Sequence, residues 1–317
     1  MSLYMPVAQI ALDMFVLIAL GFSVGIMSGM FGIGGGFIMT PALIFLGVPS
    51  LVAVGTGALQ VIASSVSGSI RHWQQGNVDL QIGKLLIGGG LIGAVSGLQL
   101  QRYLKGLGQL DLFISLNYVI VLGIIGALML KEGIGAWRQA NATAAAGANA
   151  PARKRTGHTA LQRLPIKMRF RQSRLYASAI PPFVTGMLVG WLTAIMGVGG
   201  GFLLVPALIY VIGVPTRIAI ATSSFQIIFV TAFNTVLQSV QNNNVDIMLG
   251  MPIVLGGVVG AQFGVQIAGR IRSEGLRILL ALLVLSISLR MGYDLVRKPS
   301  EAYSIEQLEV IKESPLP

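Results

Sequence analysis

The 317-residue chain contains no cysteine, which excludes disulfides, thiolate nucleophiles and thiolate-bound metals. Charge is nearly as scarce: Asp, Glu, Lys and Arg together make up 10% of the residues, against roughly a quarter in an ordinary soluble protein. The two histidines, His72 and His158, fall in polar stretches, so no metal site is expected. There is no P-loop, which excludes direct use of ATP. Neither a serine-nucleophile setting paired with a histidine inside an apolar run nor a His-Glu-x-x-His zinc motif occurs. A dinucleotide fingerprint fails because Phe37 and Phe202 stand where its last glycine belongs. The chain is therefore read as a non-enzyme without a cofactor.

What is there is apolar. Hydrophobic residues reach 54% and mean hydropathy is +0.78. Apolar runs fall at residues 10–30, 33–48, 51–70, 85–100 and 112–130, then at 176–196, 202–214, 218–240, 247–268 and 278–289. Most are close to the length a helix needs to cross a bilayer, and the gaps between them are short. In hydrocarbon every backbone N–H and C=O must be satisfied within the protein, and no long alternating pattern supports a barrel. The expected fold is an all-α integral membrane protein, a polytopic helical bundle with 8–10 membrane segments. The 41 glycines and 13 prolines predict close helix packing and broken or re-entrant helices. Residues 10–30 do not read as a cleaved signal peptide, since they lack a basic leading region and carry Asp13.

Charge is unevenly placed within a net balance of +11. Ten of the 22 basic residues lie between Lys131 and Arg174, where Glu132 is the only acid. That asymmetry marks a cytoplasmic loop, with contact to anionic lipid favoured over nucleic acid. The expected division is a first membrane repeat (1–130), a basic linker (131–175), a second repeat (176–295) and a polar tail (296–317).

Internal repetition is the strongest signal. Gly-Ile-Gly-Gly-Gly-Phe from Gly32 to Phe37 returns as Gly-Val-Gly-Gly-Gly-Phe from Gly197 to Phe202, and both copies continue to Pro-Ala-Leu-Ile. With one residue inserted in the second copy, 15 of the 29 positions from Gly32 to Gln60 match their partners up to Gln226. Gly-Val-Pro at Gly47 pairs with Gly-Val-Pro at Gly213, Thr56 with Thr222, Gln60 with Gln226, and Asn77-Val-Asp79 with Asn244-Val-Asp246. Duplicated halves around a midplane site are a usual construction of secondary transporters, with alternating access moving one half against the other. Five crossings per half make the copies inverted; four make them parallel.

Gly34, Gly35 and Gly36, and their copies Gly199, Gly200 and Gly201, are candidate helix breaks whose free N–H groups face an anion. Close helix crossing is the competing role. Thr56 and Gln60, with Thr222 and Gln226, are candidate substrate ligands, interhelical hydrogen bonding being the alternative. Asp13, the one acid inside an apolar run, is the candidate for proton coupling, with an outer-surface helix end the favoured alternative. Asp79 and Asp246 read as loop-turn or helix-start residues rather than ligands.

The paired glycine motif with Pro-Ala-Leu, the Gly-Val-Pro turn and the polar Thr/Gln helix resembles the sulfite exporter TauE/SafE family of bacterial membrane permeases. The resemblance covers roughly residues 25–79 and 190–246. It implies a multi-pass carrier in the bacterial inner membrane that moves a small sulfur-containing anion, such as sulfite or an organosulfonate, with export the expected direction. Its partners would be the lipid bilayer, the anion and a coupling ion, proton or sodium. The alternatives are a carrier of another small anion or a carboxylate, and a non-transporting subunit that docks a cytoplasmic partner through the basic loop.

Overall fold

The computed structural model describes residues 2–31, 34–146, 167–170, 172–173, 175–268 and 273–296. Arg153, Lys154, Arg155, His158 and Arg163 of the linker, Arg270 and Arg272, and the tail from residue 297 lie outside the described residues.

The apolar runs form helices. In chain order they are α1 (Met14–Phe31), α2 (Gly36–Phe45), α3 (Ser50–Gln74), α4 (Leu80–Gly106), α5 (Leu110–Ala146), α6 (Ile180–Met196), α7 (Gly201–Ala207), α8 (Thr216–Asn242), α9 (Ile247–Ala268) and α10 (Ser273–Val296). A π turn, Leu208–Ile212, prolongs α7. Seven of these helices are long and apolar enough to cross a membrane, and α6, at 17 residues, is close to that length. The two short helices begin at the glycine motifs, as expected of broken segments. Outward faces carry exposed apolar side chains, Phe15, Leu128, Leu255 and Leu289 among them, which suits a lipid solvent.

Two small hairpins depart from the sequence reading. Strands β1 (Ser2–Met5) and β2 (Ile10–Asp13) pair antiparallel just before α1. Strands β3 (Lys167–Phe170) and β4 (Leu175–Ser178) do the same just before α6. Periodicity could not separate β2 from α1, because Ile10–Asp13 runs straight into apolar sequence. Nor does helix end at residue 130: α5 continues to Ala146.

Glycine sets the packing. A methyl group added at Gly21, Gly25 or Gly29 of α1 would lie 2.3, 2.3 or 2.1 Å from the carbonyl oxygens of Ile253, Gly257 or Ala261 on α9. The partners rise together along both chains, so α1 and α9 are parallel and in backbone contact. Helices α4 and α6 repeat the arrangement, with Gly89 against Phe183, Gly93 against Met187 and Gly190 against Gly90. Helices α5 and α10 pack antiparallel, Gly123 beside Ser288 and Gly133 beside Ile278. Helices α3 and α8 are antiparallel as well: Asn244, just past α8, donates to the Leu51 carbonyl at the start of α3. At the far end Thr222, near the start of α8, accepts from the Asp79 N–H just past α3. Helices α3 and α8, and α5 and α10, which take the same places in the order of apolar runs in the two halves, thus run in opposite directions where they pack. The closely packed pairs α1–α9 and α4–α6 each take one helix from either half of the chain.

Candidate functional site

At both glycine motifs the chain turns back on itself. Gly35 and Gly200, the residues before α2 and α7, have φ of 69° and 74°, left-handed values that side chains rarely adopt. Space makes the same demand. A methyl at Gly200 would lie 2.1 Å from Val189 Cγ1 and 3.0 Å from Thr193 Oγ1, and one at Gly35 would lie 3.1 Å from Val24 Cγ1 and 3.0 Å from Ser28 Cβ. No side chain caps either helix start; the Ile38 and Leu203 N–H groups already donate to the Gly35 and Gly200 carbonyls, which leaves the N–H groups of Gly36 and Phe37, and of Gly201 and Phe202, as the donors a ligand could use.

The two breaks meet. A methyl at Gly36 would lie 2.6 Å from the Val198 carbonyl oxygen and 2.6 Å from Val61 Cγ2; one at Gly199 would lie 2.4 Å from Val61 Cγ1 and 3.5 Å from Ile227 Cγ2. Val61 and Ile227 sit near the middles of α3 and α8, so the breaks lie at mid-depth in the bundle. Phe37 and Phe202, next in sequence, bring their buried rings to 5.4 Å. The hydroxyl of Ser64 lies 3.2 Å from the Gly34 carbonyl, its acceptor across the break.

Gln60 and Gln226 are fully buried, and neither carboxamide has a hydrogen-bond partner at its nitrogen or its oxygen. Each lies against a glycine of the neighbouring helix. The Gln60 Nε2 is 3.1 Å from where a Gly257 methyl would stand, and the Gln226 Nε2 is 3.0 Å from the corresponding point at Gly90. Gly257 in turn touches Gly25, which follows Val24 and lies one turn before Ser28, the two residues that flank Gly35; Gly90 touches Gly190, which follows Val189 and lies one turn before Thr193, the two that flank Gly200. An unpaired amide buried in protein costs roughly 1–3 kcal/mol, so two at matched positions call for a partner. Ser65 and Thr231, also matched, have unpaired buried hydroxyls, as Asn234 has an unpaired amide. Ser65, Thr231, Ser28 and Thr193 were not singled out from the sequence. Carrying the repeat alignment a few residues past its identical positions would have found them.

Thr56 and Thr222 have a different place. The Thr56 Oγ1 accepts from the Asp246 N–H at 2.9 Å, and the Thr222 Oγ1 from the Asp79 N–H at 3.0 Å. The carboxylates of these buried aspartates, read from sequence as loop-turn or helix-start residues, are hubs. Asp79 caps α4 through the N–H groups of Gln81 and Ile82 and accepts from both the N–H and the hydroxyl of Ser173 in the second hairpin. Asp246 accepts from Leu249 at the start of α9 and from Val7 and Ala8 in the first hairpin. The threonines thus tie α3 and α8 to the opposite end of the chain at the two extremities of the bundle. Gln238 is likewise engaged, donating to the Ala194 carbonyl.

Asp13 is exposed at the start of α1, where it accepts from the Phe15 N–H at 3.0 Å. That hydrogen bond, helped by the charged N-terminus, holds its carboxyl below the usual aspartate range. A proton carrier at neutral pH needs the opposite shift, and Asp13 stands apart from the buried glutamines. No cluster of three His, Cys, Asp or Glu able to hold a metal occurs among the described residues.

No solved structure matches the chain. Relatives of known sequence do, among them three matched over most of their own length. The probable membrane transporter protein YunE of Bacillus subtilis is 24% identical over 88% of this chain and 97% of its own. A probable membrane transporter protein of Xylella fastidiosa is 28% identical, over 81% and 86%. One from Methanocaldococcus jannaschii is 27% identical, over 84% and 90%. The family model for the sulfite exporter TauE/SafE matches residues 17–291, which include every helix of the site and both glycine motifs. The chain, a multi-pass membrane protein, therefore belongs to the sulfite exporter TauE/SafE family of membrane transporters.

Proposed function

We propose that this transporter is a secondary carrier of a small sulfur-containing anion, sulfite or an organosulfonate, working outward across a bacterial inner membrane. The observation that carries the reading is the pair of buried, unpartnered carboxamides, Gln60 and Gln226, at repeat-matched positions next in sequence to Val61 and Ile227, which line the helix breaks. Carboxamide N–H and free backbone N–H are the donors a sulfonyl oxygen accepts from, and in a dry interior such bonds replace the hydration the anion gives up. The threonines Thr56 and Thr222 serve the site by fixing α3 and α8 at their ends.

Alternating access follows the packing. The units that move are the glycine-locked pairs, α1–α9 with the first hairpin and α4–α6 with the second, turning about the α3–α8 seam where Phe37 meets Phe202. This replaces motion of one chain half against the other, because α1–α9 and α4–α6 contacts at backbone distance cross the halves and do not slide. Helices α1, α4, α6, α8 and α9 carry no carboxyl or imidazole, and the one on α3, His72, lies well beyond Gln60 near the helix end. A coupled proton would thus ride on the anion, and a coupled sodium on neutral oxygens.

Counterflow in proteoliposomes tests the reading. Purified protein is loaded with sulfite, and separately with sulfoacetate, and uptake of the labelled species is followed. Trans-stimulated uptake of a sulfur anion is expected, reduced by Gln60→Ala and by Gln226→Ala in protein that still reaches the membrane. Folded protein that moves no sulfur anion would end the proposal.

A further inference from the structure

We infer that the site selects singly charged oxyanions and rejects doubly charged ones, an inference that rests on the site proposed above and names its substrate class. The argument is one of charge. No Lys, Arg or His occurs between Met14 and Ile70, between Leu175 and Thr216, or between Ile218 and Ala268, which together supply α1, α2, α6, α7, α9, nearly all of α8 and most of α3. On α4, Lys84 is exposed. Among the described residues the buried charged side chains are Asp79 and Asp246, both negative and each saturated by donors at one end of the bundle. An anion at the glutamines therefore meets neutral donors at close range and negative charge farther off.

The free energy of removing an ion from water rises with the square of its charge, so a dianion costs about four times what a monoanion does. Neutral carboxamides and hydroxyls do not make up that difference. The positive electrostatics at hand come from helix starts: α2, of ten residues, and the uninterrupted helical run from Gly201 through the π turn to Ile212. Each contributes roughly half an elementary charge, which together answers one negative charge and leaves a second unanswered. Val61, Ile227, Phe37 and Phe202 add apolar surface at the breaks, suited to the organic part of a monosulfonate. The class is then an alkyl monosulfonate or hydrogensulfite, while sulfite in its doubly ionised form, sulfate, and sulfonates bearing a second ionised group are excluded.

The test is counterflow of labelled methanesulfonate, a permanent monoanion, with unlabelled sulfoacetate and sulfate as competitors. Competition at least about tenfold weaker than that of unlabelled methanesulfonate is expected from both dianions. Sulfite flux should fall from mildly acid to mildly alkaline buffer as the dianion replaces hydrogensulfite, while methanesulfonate flux stays level. Sulfoacetate or sulfate competing as well as methanesulfonate, with transport still lost in Gln60→Ala and Gln226→Ala, would overturn the charge selection and leave the carrier reading standing. No flux or competition by any sulfur anion would overturn both.

Discussion

Replacing Gln60 and Gln226 by leucine separates a ligand from a structural bond. Both carboxamides are fully buried with nitrogen and oxygen unpaired, so each leaves the empty protein with an uncompensated desolvation penalty of roughly 1–3 kcal/mol. Leucine keeps most of the volume and removes the unpaired groups. Each substitution is expected to raise stability by about 1–3 kcal/mol. The glutamines lie against different helix pairs, so the double variant should gain nearly the sum. Flux should drop by at least about tenfold, because the lost donors act on the substrate. Thermal unfolding in detergent, read by tryptophan fluorescence, gives the first quantity, and counterflow gives the second. Lower melting temperature with normal flux in either single variant would refute the reasoning and return the glutamines to an interhelical role.

Further outcomes follow from the same geometry. Asp246→Ala strands the N–H groups of Val7, Ala8 and Leu249, and Asp79→Ala those of Ser173, Gln81 and Ile82; each should cost about 2–4 kcal/mol by thermal unfolding, and Thr56→Val or Thr222→Val nearer 1 kcal/mol. Gly190→Ala drives a methyl to 2.1 Å from the Gly90 carbonyl oxygen and should cost upwards of about 3 kcal/mol, read as lost monodisperse protein. Gly135→Ala, with open space around it in α5, should gain about 0.5–1 kcal/mol. Because the chain is free of cysteine, pairs can be introduced cleanly. Cross-linking Phe22→Cys to Phe263→Cys, whose native rings are 5.8 Å apart on α1 and α9, should leave flux intact, whereas Phe37→Cys with Phe202→Cys should arrest it. A block by the first pair would show that the chain halves move as units. Asp13 has its pKa lowered in the folded state, so its contribution to stability is present above the unfolded aspartate pKa and is lost as pH falls through the folded value. Around neutral pH it stays ionised, and Asp13→Asn should leave flux and its pH profile unchanged.

By itself the sequence determined the class of solvent and the type of element. Scarce charge and spaced apolar runs leave helices in a bilayer as the one way to satisfy the backbone, and that requirement is local enough to be read residue by residue. It also determined where to look, since Gly34 to Gly36 and Gln60 are matched by Gly199 to Gly201 and Gln226 at the same spacing. It could not separate Thr56 from Gln60. Both are buried polar residues one turn apart on α3 and both have a copy on α8, yet one accepts from the Asp246 N–H and the other has no partner. That distinction depends on which backbone arrives from the other end of the chain, some 190 residues away in sequence. The hairpin contacts to Asp79 and Asp246 and the choice of α1–α9 and α4–α6 as the locked pairs are of the same kind. Glycines announce that something will come close, but only the tertiary structure decides what, because the partner of a glycine is another helix's backbone, and backbone carries no sequence signature.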